Sequence, residues 1–373
     1  MHLLSEEFLL FGLCFVALFF LLDVTGQKLL LIAASFVFAG IHNITFALVL
    51  AASIGGNHVS ATLIARDRPY SRLAMWGGIL FNVALLGTFK YFDFFSTSLN
   101  DAAAVAGVHY SPLFLHVVVP LGLSYYTFQA ISYLVDLHHG KLTRASLLDF
   151  TVFMAFWPKF IAGPIIRATS FLPQLRYRRR LRWRNFYLGV ESVIYGLFLK
   201  TALSDFLLPH VQKVYAAPAA YDGSNALLAA LFFTFQIYGD FAGYSLVVIG
   251  VARILGYAIR PNFLRPNFAR SFSDFWRRWH ISLSSWLDTY IFRNLVPKSS
   301  HRKVEWATIP QAYRAILGQN AVEADDTFMT LSGDSLSYVQ AALAIEGVLG
   351  YLPDSWDSMT VSELEALRPQ VAL

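Results

Sequence analysis

The chain has 373 residues, of which 56% are hydrophobic and only 14% charged, with a mean hydropathy of +0.50. That composition excludes an ordinary soluble protein and fits a polytopic membrane protein. The net charge of +5 is unevenly spread: residues 305–373 carry ten acidic and two basic side chains, a net −8, which leaves +13 on the rest. Opposite charge and different hydrophobicity mark two domains, expected at 1–303 and 304–373. The one cysteine, Cys14, sits in an apolar run and has no partner for an internal disulfide.

Residues 8–22 are apolar and follow Glu6 and Glu7 rather than a basic segment, which predicts a first membrane helix and not a cleaved signal. Residues 29–53 are apolar but interrupted by His42 and Asn43. They read as two short helices or as one helix lining a cavity, with His42 as a satisfied interior histidine. Arg66, Arg68 and Arg72 form a first basic loop, a mark of the cytoplasmic side. Residues 73–89 form the next span and end in Lys90-Tyr91-Phe92-Asp93-Phe94-Phe95, where aromatics and a snorkelling lysine suit a membrane interface.

Residues 113–135 form another span. Pro120 and Gly122 are expected to kink it, and Ser124, Thr127 and Gln129 need polar partners inside a bundle. His138 and His139 close this run without an accompanying Cys or carboxylate cluster, so they read as interfacial and no metal site is predicted. Residues 150–166 hold Pro158, Gly163 and Pro164 in a short apolar stretch, which predicts a broken or re-entrant segment. Lys159 within it has no explanation at the level of sequence.

Arg176, Arg178, Arg179, Arg180, Arg182 and Arg184 crowd the following loop. They suffice as a positive-inside determinant and also suit an anionic lipid or an acidic partner. Nucleic acid is not expected, because no soluble basic domain surrounds them. Spans at 186–208 and 226–255 follow. Asp240 lies in the second; a carboxylate there is costly unless paired or facing water, which makes it a candidate cavity-lining residue.

The stretch Phe275-Trp276-Arg277-Arg278-Trp279-His280-Ile281-Ser282-Leu283-Ser284-Ser285-Trp286 is basic and aromatic around one histidine. Read as one helix, it puts His280, Ser284 and Asp288 on one face and Trp279, Leu283 and Trp286 opposite. At membrane depth such a pattern lines a cavity, where a histidine suits general-base work. The alternative is a structural histidine in an interfacial aromatic belt.

These segments resemble, in order, motifs of the membrane-bound O-acyltransferases, in particular the bacterial branch of alginate O-acetylases and teichoic-acid D-alanyl transfer proteins. Residues 89–95 are similar to that family's "FKYxxFF", residues 120–133 to its "PhGISFFTFQxISY", and residues 156–167 to its "FFPxLxAGPIxR". Gln236-Ile237-Tyr238-Gly239-Asp240-Phe241-Ala242-Gly243-Tyr244 is similar to "QxYxDFSGY", residues 260–268 to the "NFxxPY" connection, and Arg278-Trp279-His280 to "RWHxS". The resemblance implies O-acyl transfer and two functional histidines. His280 matches one. The other, usually in a later membrane helix within "WHG", has no match, since His301 is the only later histidine and lies in a polar linker. Asp288-Thr289 also stands where the family tends to have Arg-Asp before the tyrosine matching Tyr290. What the resemblance implies is a C-terminally truncated acyltransferase domain.

Residues 305–373 read as a compact helical domain. From Ser335, the apolar positions Leu336, Val339 and Leu343 recur at helical spacing after a turn permitted by Gly333. Asp334 and Ser335 either cap that helix or place a phosphate at its N-terminus, where free donors and the dipole favour anions. Gly333-Asp334-Ser335-Leu336 resembles the attachment motif of acyl carrier proteins, which implies 4'-phosphopantetheine covalently on Ser335 with Asp334 beside it.

The expected fold class is all-α: a polytopic transmembrane helical bundle followed by a small soluble carrier-like helical bundle. The expected protein is multi-pass in the bacterial cytoplasmic (inner) membrane, with the carrier domain cytoplasmic, where it meets its acyl donor system and a phosphopantetheinyl transferase. It moves an acyl group from the Ser335 thioester to a hydroxyl of a cell-envelope polysaccharide or lipid, with His280 as general base and Asp240 lining the cavity. The alternative is a non-catalytic membrane-tethered carrier that docks and supplies a separate acyltransferase.

Overall fold

The structure is a computed structural model that describes residues 6–66, 69–105, 118–160, 163–293, 308–319, 321–331, 335–349, 353 and 355–367. Its elements are helical, and the described residues form no β-strand. They divide into two compact units, Met1–Tyr290 and Ile291–Leu373. The boundary expected at 303 falls outside the described residues.

The first unit begins with α1 (Glu6–Leu21), α2 (Val24–His42) and α3 (Ile44–Arg66). Asp23 starts α2 by accepting the Gly26 N–H at 2.8 Å, an N-cap. Asn43 separates α2 from α3 in extended conformation, so the apolar run resolves into two helices rather than one. α4 (Ser71–Val105) follows, then α5 (Leu123–His138) and α6 (Leu147–Met154). After them come two long helices, α7 (Trp183–Ala216) and α8 (Gly223–Ile254). Among the described residues, five helices are long and apolar enough to cross a membrane: Val24–Ile41, Ile44–Arg66, Ser71–Val105, Trp183–Ala216 and Gly223–Ile254.

The expected span at 113–135 is shorter in its described part. α5 begins only at Leu123, because Gly122 takes a left-handed conformation (φ 73°) after Pro120. Residues 150–166 are broken, as their prolines and glycine require. α6 ends at Met154, one 3₁₀ turn covers Trp157–Lys159, and Gly163–Ile166 runs without helix. This irregular chain is buried in protein, which is where non-helical backbone is tolerated in such a bundle.

α7 and α8 touch backbone to backbone. A Cβ added at Gly196 would lie 2.6 Å from the Gly243 carbonyl oxygen, and one at Gly189 would lie 2.7 Å from that of Gly250. The two glycines on each helix are seven residues apart, so they share a face and open one continuous line of approach. α7 also carries a π turn at Leu199–Asp205, just before Pro209. Pro209 has no N–H for the Asp205 carbonyl, which frees the ladder there to relax.

The second unit packs α11 (Ile309–Leu317), α12 (Ser335–Leu349) and α13 (Val361–Ala366) around Ile309, Tyr313, Phe328, Ile345, Trp356 and Leu364. Thr360 and Glu363 form a reciprocal capping box that starts α13. Between α8 and this unit lie α9 (Phe272–Arg278) and α10 (Ile281–Leu287), which position the candidate site.

Candidate active site

The stretch from Phe275 to Trp286 is not the single helix its spacing predicts. α9 ends at Arg278, Trp279 is extended, and His280 adopts a left-handed conformation at φ 44° and ψ 49° before α10 begins. The cause is Asn262. In a continuous helix the N–H groups of Ile281 and Ser282 would donate back to Arg277 and Arg278. Instead Ile281 donates to the Asn262 carbonyl at 2.9 Å and Ser282 to the Asn262 Oδ1 at 3.2 Å. The released Arg278 carbonyl accepts from the Leu264 N–H at 2.9 Å. Asn262 is buried and its amide donates to Ser245 Oγ on α8 at 3.3 Å, which fixes the clamp to the bundle. A non-glycine residue in this conformation costs about 1–3 kcal/mol and persists only where its surroundings impose it.

The face proposed for His280, Ser284 and Asp288 is therefore replaced by a break at which His280 stands apart. Its ring meets Phe241 of α8 edge to face, with centroids 4.6 Å apart and planes at 86°. Phe263 packs against both Phe241 and Trp279, at 5.0 and 4.9 Å. Within this aromatic surround, Nε2 is buried and has no hydrogen-bond partner. Burial holds the imidazole down to about 4 from its usual 6.5, so the ring is neutral at pH 7. A neutral imidazole with an unengaged nitrogen is a proton acceptor in waiting.

Asp240 is placed differently. Its carboxylate accepts from Lys200 Nζ at 2.7 Å, and the same ammonium reaches Asp205 at 2.6 Å. Asp240 is thus the α8 member of an ion triad with the π turn of α7, while its neighbour Phe241 is the residue that meets His280.

α10 is held from a second side by the irregular segment after α6. The Ile165 N–H donates to Ser282 Oγ at 2.9 Å. Arg167 donates to the Ser285 carbonyl at 2.7 Å and to Thr289 Oγ1 at 3.1 Å, and its guanidinium lies 5.2 Å from the Tyr290 ring centre. Thr289, which departs from the family pattern, is thereby part of the support. Trp286 donates its indole N–H to the Phe128 carbonyl on α5 at 3.0 Å. Tyr290 donates to buried Asp136 at 2.6 Å, and Lys141 pairs with the other carboxylate oxygen at 3.2 Å.

Lys159 is fully buried under this frame. Its ammonium nitrogen donates to Gln129 Oε1 and to the Phe153 carbonyl, the latter at 2.9 Å. Gln129 in turn donates to the Ile166 carbonyl at 3.3 Å. Lys159 therefore ties α5, α6 and the broken segment together, which accounts for it.

Sequence reasoning passes over Asp136, and it meets Asn262 only within the "NFxxPY" resemblance, with no role attached. Asp136 was accessible by the argument that flags Asp240, a carboxylate at the end of an apolar run. Asn262 carried no such signal, since its role is to accept from N–H groups about twenty residues later.

Ser335 is the first residue of α12; its side chain, and Asp334 as a whole, lie outside the described residues.

Residues 80–309 match the model of the membrane-bound O-acyltransferase family. The chain belongs to the membrane-bound O-acyltransferase family. It is similar to the probable alginate O-acetylase of Pseudomonas aeruginosa, at 34% identity over 78% of this chain and 56% of the relative. It is similar to the peptidoglycan O-acetyltransferase of Helicobacter pylori, at 31% identity over 74% of this chain and 57% of the relative. The teichoic acid D-alanyltransferase of Streptococcus thermophilus shares 30% identity over 49% of this chain and 46% of its own length. The chain thus spans little more than half the length of the first two. Family membership and the five apolar helices together describe a multi-pass membrane protein.

Proposed function

We infer that this chain takes part in O-acyl transfer to a hydroxyl of a cell-envelope polysaccharide or lipid in the bacterial inner membrane. The observation that carries this reading is the neutral, partly buried His280, held at a strained break by Asn262 with its Nε2 unengaged. His280 takes the proton of the acceptor hydroxyl as the oxygen attacks the acyl carbonyl. The bond from that carbonyl to the donor breaks, and the departing group leaves with a proton. Phe241, Phe263 and Trp279 pack around the imidazole and shield it from water, so the proton taken from the acceptor hydroxyl is passed to the donor's departing thiol rather than to bulk solvent. Asp240, fixed to Lys200, keeps the adjacent turn of α8 in register and with it Phe241.

The donor in this reading is an acyl group on 4'-phosphopantetheine attached to Ser335. The placement of Ser335 as the first residue of a 15-residue helix fits an attached phosphodiester, because the helix N-terminus offers free donors and positive potential. That group, when bound, supplies a thiol that carries the acyl chain as a thioester. The acidic character of residues 305–373 suits a carrier that is read by a basic loading enzyme such as a phosphopantetheinyl transferase in the cytoplasm.

Intact mass after co-expression with a phosphopantetheinyl transferase tests the carrier. One added arm, absent in Ser335→Ala, is the expected result, and no gain in mass would remove the carrier from the reading. With a loaded protein in hand, His280→Ala tests the chemistry. Loss of transfer is expected, whereas unchanged transfer through an added acyltransferase would favour the membrane-tethered carrier.

A further inference from the structure

The arginine loop before α7 closes a cleft of about 360 Å³ lined by Arg178, Arg179, Arg180, Arg182, Asn185 and Gly256. No carboxylate lines it, and none of its arginines makes an ion pair among the described residues. Guanidiniums gathered this way repel one another, so the cleft is electrostatically incomplete without an anion.

The cleft is built, not a chance gathering of surface charge. Buried Gln27 on α2 grips the Arg179 backbone in both directions, accepting its N–H at 2.8 Å and donating to its carbonyl at 2.8 Å. Arg178 donates to the Phe20 and Leu21 carbonyls at the end of α1, at 3.1 and 3.3 Å. Arg179 donates to the Gly256 carbonyl at 3.2 Å and lies 4.9 Å from the Tyr257 ring centre, and its Nε–H is buried with no acceptor. These contacts fix two guanidiniums in place. The side chains of Arg180 and Arg182 make no hydrogen bond or ion pair among the described residues, and the first turn of α7 adds Asn185.

The location identifies the source of the anion. The cleft lies where α1 and α8 end and α2 and α7 begin, at one end of the bundle. Tyr177, Trp183 and Tyr187 flank it and are 70–75% exposed, the position of interfacial aromatics. The volume falls in the range of small-molecule sites, and guanidinium forks match phosphate oxygens.

We propose that this cleft binds the phosphate of an anionic glycerophospholipid headgroup. The site is separate from His280 and does not depend on the acyl-transfer reading.

The test is native mass spectrometry of the full chain in neutral detergent, titrated with phosphatidylglycerol, with phosphatidylcholine and with inorganic phosphate. Phosphatidylglycerol is expected to bind one per chain and at least about tenfold more tightly than phosphatidylcholine. Arg180→Gln/Arg182→Gln should lose that preference with an unchanged melting temperature, since neither side chain holds the fold. Arg176→Gln/Arg184→Gln removes the same charge from the same loop outside the cleft and should keep it. Displacement of the lipid by millimolar inorganic phosphate would support phosphate recognition with a soluble source, and resistance to it would support the headgroup. Equal binding of the two lipids, or equal loss in both double variants, would overturn the proposal.

Discussion

Tyr290 donates its hydroxyl to the carboxylate of Asp136, 2.6 Å away and 154 residues earlier in the chain. The bond joins the end of the first compact unit to α5, and Asp136 is 2% exposed. Tyr290→Phe leaves this buried carboxylate with Lys141 as its remaining charged partner. The expected cost is about 1.5–3 kcal/mol, because removing a donor from a buried charged acceptor costs its desolvation. A melt in detergent reads it, and the double variant with Asp136→Asn should be less than additive. Additive losses would mean the two residues do not interact.

The backbone contact of α7 and α8 makes Gly196 intolerant of any side chain. The Gly243 carbonyl oxygen, 2.6 Å from where a Cβ would sit, is main chain and cannot rotate away. Gly196→Val is expected to cost at least about 1–3 kcal/mol by overpacking. Gly223, whose Cβ would meet nothing within 4 Å, provides the control. Comparable losses in Gly196→Val and Gly223→Val, measured as thermal stability in one detergent, would refute the close approach.

The imidazole of His280 is held down to about 4, against 6.5 when unfolded. Above pH 6.5 both states are neutral and the shift contributes nothing. As pH falls from 6.5 towards 4, the unfolded chain takes up a proton that the native chain refuses, so stability declines across that window and levels off below it. His280→Gln should lack this component of the pH profile. If acyl transfer is reconstituted, its acid limb should fall below pH 6, because the base remains unprotonated there. A limb centred at 6.5 would show an imidazole open to water.

Lys200 serves two carboxylates, Asp205 and Asp240. Lys200→Met leaves both without a cation and is expected to cost about 1–3 kcal/mol, between the values for exposed and buried pairs. Asp240→Asn leaves Lys200 paired with Asp205 and should cost less than about 1 kcal/mol. The order of the two melting temperatures checks the triad. A larger loss for Asp240→Asn would place the weight of the interaction on that carboxylate and not on the shared lysine.

Much of the architecture was legible in the residues. Apolar runs long enough to span and the broken segment around Pro158 and Gly163 follow from local rules, since a membrane forces each backbone group to find its partner nearby, while the division at Asn43 was one of two readings that the structure decided. The order of the motifs pointed to the family by resemblance, and the match over residues 80–309 agrees. What sequence could not show was the geometry at His280. Spacing predicted a continuous helix with His280, Ser284 and Asp288 on one face, and local propensity alone would have made one. Asn262 decided otherwise by taking the N–H groups of Ile281 and Ser282, a contact between residues about twenty positions apart. Asp240 likewise read as a solitary carboxylate until α7 brought Lys200 beside it. The sequence by itself determined helix type and the chemistry available. Tertiary structure determined which of those groups are spent on holding the fold and which, like the Nε2 of His280, are left without a partner, because that depends on contacts whose closure no local pattern encodes.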